Sequence, residues 1–448
     1  MTIVAVSEVA LERTVFEYGV VSLNQLSEPQ QQGVLLALGQ LPTPDGQEVI
    51  KLVVREGKVA LQTTQYVGLY QLGCLRLQVL PKMHKLTATN QEAKRQAMQN
   101  LLVMLRYALD LPIHTAQFTE LEEGMDWFET LTTLFTESLL LEWQRGPIRR
   151  YESVQDDLTA IRGRLRVQDH IRRVGRQHVL PVEYDEFTTD TALNRLFRYV
   201  VSRLLNLSRN NRNLENLRLL AGWMDEDGIP VLPAFHAQEA ARLRLDRLNI
   251  RYELPFSLAR LFVQDAGLNA HAGDHQSLSL FFDMNALFEE FLTGILLRHR
   301  TEILPYALQE AHLIVQGEGN SRPLLIRSST GGSTLRMKPD VLLEVNTSVP
   351  LILDFKYKVL DPNKPRAGVG REDLYQMFAY AQRYQCPKVM LIYPRVPNLD
   401  TATLKYHVPA DGGSSASLKI SVINLSHQFS TSGIRTIITD LKSLLAEV

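Results

Sequence analysis

Hydrophobic and polar positions change period repeatedly along the chain. Up to about residue 85, short runs such as VVSLNQL, EVIKLVV, KVALQTTQYVGLYQL and CLRLQVLPKM are separated by Gly, Pro, Asp and Asn. Such a pattern predicts a strand-rich domain, closed as a small barrel or sandwich, whose edges suit a partner interface. From Gln91 the period lengthens towards 3.6, with Ala97, Leu101, Met104, Leu105 and Ala108 on one stripe. A second helix, DWFETLTTLFTESLLLEWQRG, ends before Gly146–Pro147. Both stripes read as core packing. Thr189 or Asp190 is positioned to cap a helix from about Thr191 to Leu207. Asp185, Glu186, Asp190, Asn194 and Arg195 cluster at its start as a hydrogen-bonded junction rather than a metal site. Residues 208–240 read as helical and polar, and Asp283–Arg300 as a further apolar helix. Met337–Leu360 reads as two strands turning at Asn346–Thr347–Ser348, and Arg371–Tyr384 as a helix.

Length divides the pattern into domains. A chain of 448 residues exceeds one ordinary domain. The expected division is a β-rich domain over 1–90, a helical partner-docking region over 91–270, and a mixed α/β domain over 275–448. The formal net charge is −1, so a nucleic-acid surface must be a local patch. The most basic stretch, residues 161–178, carries Arg162, Arg164, Arg166, Arg172, Arg173 and Arg176 against Asp169 alone. Arginine in that density suits a phosphate or the carboxylates of a protein partner, and a solvated face is the plain alternative. Cys74 and Cys386 form no CxxC pair, which argues against a disulfide framework or a zinc site. His271, Asp274 and His275 have ligand-like spacing but sit in a loop near a domain boundary, where metal binding is not expected. No window approaches the roughly 18 apolar residues of a membrane span, and a cytoplasmic location is expected.

Chemistry concentrates in Met337–Leu360. The run Leu351–Ile352–Leu353 is broken by Asp354 and then Lys356, which period 2 places on one face of the strand. An ionised carboxylate ending a buried strand is costly unless paired. Asp340 can arrive from the neighbouring strand, so two carboxylates and an ammonium meet at the end of a sheet. That set binds a hard divalent cation through oxygen and suits metal-dependent phosphodiester hydrolysis. Glu289 and Glu290 interrupt the preceding helix, and Gln376 and Tyr380 share one face of the following one. Tyr357 and Lys358 are exposed or in contact with DNA, and Arg366 and Arg371 flank a loop, Asp361–Gly370, able to close on a duplex.

Helix, PD, D-x-K and Q-x-x-x-Y in this order resemble the PD-(D/E)xK nuclease superfamily. IRGRL at 161–165, YDEFTTDTALNR at 184–195, DMNALFEEF at 283–291, PD at 339–340, DFKYK at 354–358 and DLYQMFAYA at 373–381 together resemble the McrC family, the nuclease subunits of McrBC 5-methylcytosine-dependent restriction systems. The resemblance implies a restriction-endonuclease-like α/β core and one or two Mg²⁺ ions held by Asp340, Asp354, the Phe355 carbonyl and Glu289. Lys356 then orients or deprotonates the attacking water, while Gln376 and Tyr380 position the phosphate backbone or the lysine. It also implies docking on a McrB-like hexameric AAA+ GTPase that reads methylated double-stranded DNA, with Arg162–Arg176 as the pore-contacting stretch. No nucleotide is expected on this chain: Gly331–Gly332 and Gly412–Gly413 lack the lysine of a phosphate-binding loop. A stand-alone repair or junction nuclease and a non-catalytic activator of a AAA+ ring are the competing readings.

Overall fold

The computed structural model describes residues 11–55, 57–82, 91–112, 127–172, 178–264, 278–328, 332–395, 404–408, 416–425 and 427–446. It falls into two units, one built from the described residues between 127 and 280, the other from those before 113 and from 281 onward.

The larger unit begins with β1 (Leu11–Phe16) and β2 (Val20–Ser22), then α1 (Glu28–Leu38), β3 (Ile50–Arg55), β4 (Lys58–Thr63), β5 (Tyr66–Leu72) and β6 (Leu75–Leu80). β2, β4 and β3 form one small sheet; β1, β6 and β5 form another, joined at its edge by β10 (Leu278–Asp283). The segment is β-rich as expected, but its strands fall into two small sheets with α1 between β2 and β3 rather than into one barrel or sandwich. α1 was written in the sequence as Ser27-Glu28-Pro29-Gln30: the Gln30 side chain accepts from the Ser27 N–H at 2.9 Å, half of a capping box, and proline sits in the first turn. Next comes α2 (Gln91–Ala108), whose expected stripe of Ala97, Leu101, Met104 and Leu105 is buried, joined by Leu102 and Val103. It packs on both β6 and α9 (Met284–Arg298), which accounts for burial on more than one face.

The second unit is mostly helical. α3 (Trp127–Gln144) is buried from Trp127 to Thr136. It packs on α6 (Asn211–Glu226) and α8 (Glu253–Gln264), with α5 (Ala192–Leu205) against α6 and α8 and the short α7 (Ala237–Arg242) against α8. The buried carboxylate of Glu129 is met by Ser208 Oγ at 2.7 Å, the Arg209 N–H at 2.7 Å and Asn213 Nδ2 at 2.9 Å, as a buried charge requires. Outside this bundle, β7 (Arg150–Leu158), β9 (Leu180–Thr188) and β8 (Arg164–Leu165) form a three-stranded sheet, with α4 (Val167–Arg172) beside β9.

The larger unit resumes with α9, α10 (Arg300–Ile303), β11 (His312–Val315), β12 (Pro323–Ile326), β13 (Ser333–Arg336), β14 (Val341–Val345), β15 (Ser348–Phe355), α11 (Arg371–Tyr384), β16 (Lys388–Pro394), β17 (Leu404–Val408), β18 (Ala416–Ile423) and α12 (Thr431–Ala446). Its six-stranded sheet runs β11-β14-β15-β16-β18-β17. β14 and β15 are antiparallel around Asn346 and Thr347, whose φ of 47° and 69° suit a primed hairpin turn. β15 and β16 are parallel, which demands the crossover that α11 provides. β14, β15 and β16 are almost wholly apolar because helices cover this sheet. The boundaries expected near 90 and 270–275 do not coincide with this division. α2 belongs with α9 and the C-terminal sheet, so the second unit interrupts the larger one in sequence. Among the described residues no helix is long and apolar enough to cross a membrane.

Gly294 fixes the α2–α9 approach: a Cβ there would lie 2.3 Å from the Tyr107 carbonyl oxygen. Gly294→Val should cost about 1–3 kcal/mol through overpacking, read as a drop of several degrees in the thermal midpoint of this unit.

Candidate active site

Val341 pairs with Leu353, so the antiparallel register sets Asp340 opposite Asp354 at the end of the hairpin. Both are buried, Asp354 completely. Phe355 N donates to Asp340 Oδ2 at 2.7 Å, tying the first carboxylate to the strand of the second. Lys356 Nζ lies 2.6 Å from Asp354 Oδ2 as an ion pair, yet neither oxygen of Asp354 accepts a well-directed hydrogen bond. Burial and the Asp354 charge push Asp340 up to about 8, helped by Glu289. Burial likewise raises Glu289 to about 7 and raises Asp354. For Lys356 burial alone would lower the pKa, but Asp354, Asp340 and Glu289 together hold it above the ordinary lysine value. The site is thus short of positive charge. A fully buried carboxylate offset by one lysine and facing a second carboxylate fits a hard cation taking oxygen ligands. Among the described residues no three His, Cys, Asp or Glu side chains are arranged as a metal cluster. Glu289 does not come from this hairpin, although its charge acts on Asp340 and is acted on by Asp354.

Glu289 instead lines a cavity of about 430 Å³ together with Asp340, Glu290, Gly294, Tyr107 and Arg298. Gln376 and Tyr380 are joined, Gln376 Nε2 donating to the Tyr380 hydroxyl at 2.8 Å. The Tyr380 hydroxyl in turn donates to the Lys338 carbonyl at 3.1 Å, two residues before Asp340. The pair therefore braces the approach to the first carboxylate. One turn on, the Tyr384 hydroxyl holds the Asn320 carbonyl at 3.0 Å.

Neighbouring expectations need correction. Tyr357 is not exposed: its hydroxyl donates to Glu17 at 3.0 Å, and its ring packs on Phe288. Glu17 is itself buried and raised to about 7 by that burial. Lys358 is half exposed but engaged with Asp373 at 3.1 Å. Asp373, overlooked in the sequence, also accepts from the Tyr393 hydroxyl at 3.0 Å. Its spacing to Gln376 and Tyr380 puts all three on one helical face, which was the available signal. Arg366 and Arg371 are exposed, Arg366 in a left-handed conformation within a short turn and Arg371 at the start of α11.

In the helical unit, the cap of α5 is Thr191, not Thr189 or Asp190, because β9 continues to Thr188 and takes Asp185 and Glu186 into the strand. Asp190 and Arg195 form a bidentate pair at 2.6 and 2.8 Å, and Asn194 donates to the Ile148 and Thr189 carbonyls at 2.7 Å each. These three build the expected junction. Arg162 stacks on the Tyr184 ring at 3.9 Å, Arg166 pairs with Asp169, and Arg164 and Arg172 are exposed. The intervening Gly163 is required: its φ is +68° and a Cβ would lie 2.4 Å from the Glu183 carbonyl. Arg173, Arg176, His271, Asp274 and His275 lie outside the described residues.

A family model described as McrBC 5-methylcytosine restriction system component matches residues 61–394. The chain belongs to the McrBC family. Among solved structures, a chain of the refined half-complex from the tetradecameric assembly of Thermococcus gammatolerans McrB AAA+ hexamers with bound McrC aligns with a TM-score of 0.63 at 20% identity, over 97% of this chain and 100% of that one. That likeness establishes a shared mixed α/β fold. A chain of the cryo-electron-microscopy structure of the Thermococcus gammatolerans McrBC complex aligns at 23% identity and a TM-score of 0.47, over 66% of this chain and 89% of that one. No curated protein matches the chain.

The raised carboxyls set a pH dependence. Asp340 titrates near 8 in the folded chain and near 3.8 when unfolded, so the folded state holds the extra proton in between. Without a cation, stability contributed by that proton is present at low pH and is lost as pH rises towards 8. Asp340→Asn keeps an acceptor for the Phe355 N–H and should raise the metal-free thermal midpoint by several degrees at pH 8.5 but little at pH 5. Mg²⁺ should stabilise the natural chain at pH 8.5 and not the variant. Glu17→Gln, which also removes a raised carboxyl, should retain the Mg²⁺ response.

Proposed function

We propose that this chain is the Mg²⁺-dependent endodeoxyribonuclease subunit of a modification-dependent restriction complex, with a PD-(D/E)xK core in the larger unit. The observation that carries the reading is the buried Asp340–Asp354 pair with Lys356 Nζ at 2.6 Å from Asp354 Oδ2 as the charge that offsets it. Asp340 and Asp354, with the Phe355 carbonyl, would hold the ion or ions. Bound Mg²⁺ would supply a more acidic water and offset charge at the scissile phosphate. Glu289, in the cavity beside Asp340, would assist in holding the ion. The carboxylates Asp354, Asp340 and Glu289 hold Lys356 above the ordinary lysine value in the metal-free site; beside a bound ion that neutralises them, Lys356 would orient or deprotonate the attacking water and offset charge on the phosphate. Gln376 and Tyr380 keep the strand carrying Asp340 in place through the Lys338 carbonyl.

The partner we infer is a McrB-like hexameric AAA+ GTPase, with methylated double-stranded DNA delivered to the nuclease by the ring. Two observations support it: the assembly named for the structural neighbour, and the sheet β7-β9-β8 of the helical unit. Every residue of β7 except Val154 and Leu158 is exposed. Tyr151, Phe187, Ile161 and Ile171 are 72, 53, 63 and 72% exposed among arginines, which is the composition of a protein interface rather than of a solvated loop.

The test is cleavage of methylated and unmethylated plasmid by the chain co-purified with its AAA+ partner, with Mg²⁺ and GTP. Asp354→Ala should reduce cleavage to background while leaving complex formation and GTP hydrolysis intact. Persistent cleavage by the variant would overturn the site assignment, and cleavage without the partner would indicate a stand-alone nuclease. Separately, Arg164→Glu combined with Arg172→Glu should lower partner-stimulated GTP hydrolysis by about ten-fold, as expected when interface charges are reversed, without altering the chain's thermal midpoint.

A further inference from the structure

Between β11 and β14 lies a feature that hydrolysis at Asp340 and Asp354 does not use. Residues 319–339 contain Arg322, Arg327, Arg336 and Lys338 and no Asp or Glu, in a chain whose formal net charge is −1. Here β12 and β13 form a separate two-stranded antiparallel ribbon. Leu324, Leu325, Ile326 and Leu335 are 44, 57, 55 and 50% exposed, and every described residue from Leu324 to Arg336 is exposed. An isolated hairpin with both faces in water is marginal by itself.

Its root, however, is firmly held. Arg322 N donates to the Tyr384 hydroxyl at 3.1 Å, and the Arg322 guanidinium stacks on the same ring at 4.8 Å. Arg383 Nε donates to the Pro323 carbonyl at 3.0 Å, and Arg336 Nε to Ser321 Oγ at 2.7 Å. The Tyr384 and Arg383 contacts anchor the ribbon on α11, whose Tyr380 also holds the Lys338 carbonyl just before Asp340, while the Arg336–Ser321 bond ties the two strands' root together. The ribbon is therefore a rigidly rooted, positively charged projection continuous with the first carboxylate.

We propose that this ribbon is the surface on which duplex DNA is seated beside the active site. Arg327 and Lys338 contact backbone phosphates on either side of a groove, and Leu325, Ile326 and Leu335 rest against the sugar and base edges within it. Charge complementarity selects the occupant: exposed cations without an intervening acid favour a polyanion, and a two-stranded ribbon matches the width of a DNA major groove. Phosphate contacts of this kind fix register without reading sequence. The inference rests on the proposed hydrolysis for its purpose, though not for its measurement.

The test uses the full chain carrying Asp354→Ala, assembled with its AAA+ partner on uncut methylated duplex. A photo-crosslinking residue replaces Leu325 or, as a control elsewhere in the unit, Tyr306, which is 91% exposed. Crosslinks to DNA from position 325 and not from 306 are expected. In parallel, Arg327→Ala with Lys338→Ala should make the dependence of log Kd on log salt shallower by about one for each cation removed. Wild-type salt dependence, no DNA crosslink, or a crosslink from 325 to a second copy or to the AAA+ partner would overturn the proposal. If the unmodified complex cleaves plasmid while the ribbon variants bind as the wild type does, the ribbon fails and the hydrolysis stands. If the ribbon crosslinks to DNA but no metal supports cleavage, it is the hydrolysis that fails.

Discussion

Two carboxylates face each other where a buried hairpin ends, with one lysine to offset them. That electrostatic deficit is the constraint on which the larger unit is built. Register, not chance proximity, creates it: pairing Val341 with Leu353 leaves Asp340 and Asp354 no alternative but to meet. Desolvation makes the meeting costly, and the raised pKa values of Asp340 and Glu289 are its expression. The surrounding structure tolerates the cost because strands on both sides are packed into an apolar sheet that cannot slip by one residue without turning its core outward. A divalent ion held at this point would remove the deficit, which links the stability of the fold to the proposed chemistry.

α11 translates that constraint into geometry. One face of the helix presents Asp373, Gln376, Tyr380 and Tyr384, and three of these residues bond segments leading to or from the carboxylates. Asp373 holds Lys358 just past the D-x-K, Tyr380 holds Lys338 just before Asp340, and Tyr384 holds Asn320 at the root of the exposed ribbon. The N-terminal part joins the same arrangement from the other direction through the Glu17–Tyr357 hydrogen bond, and α9 through the contact of Phe288 with the Tyr357 ring. Within the larger unit, residues from three distant parts of the sequence thus support the D-x-K strand, whereas the helical unit offers an exposed sheet suited to a partner.

The amino-acid sequence by itself determined the elements whose signal is local. The hairpin around Asn346–Thr347, the run Leu351–Leu353 ending in Asp354, the helix Arg371–Tyr384 and the stripe of α2 were legible because periodicity, turn chemistry and a buried charge each act over a few residues. Even α1, overlooked, was locally encoded by its Ser27–Gln30 cap. Only the tertiary structure decided what depends on partners far away in the chain. Tyr357 looked like an exposed residue next to a catalytic lysine because nothing near it reveals Glu17, and Lys358 likewise turned to Asp373. Glu289 matched a helical acid at the right place, but its distance from the two aspartates depends on how α9 sits on the sheet. The boundary expected near 90 failed for the same reason: α2 packs on α9 across an intervening unit, and a linear reading of composition carries no information about such a return. Short-range physics writes itself into neighbouring residues, whereas packing and electrostatics between remote segments exist only once the chain has folded.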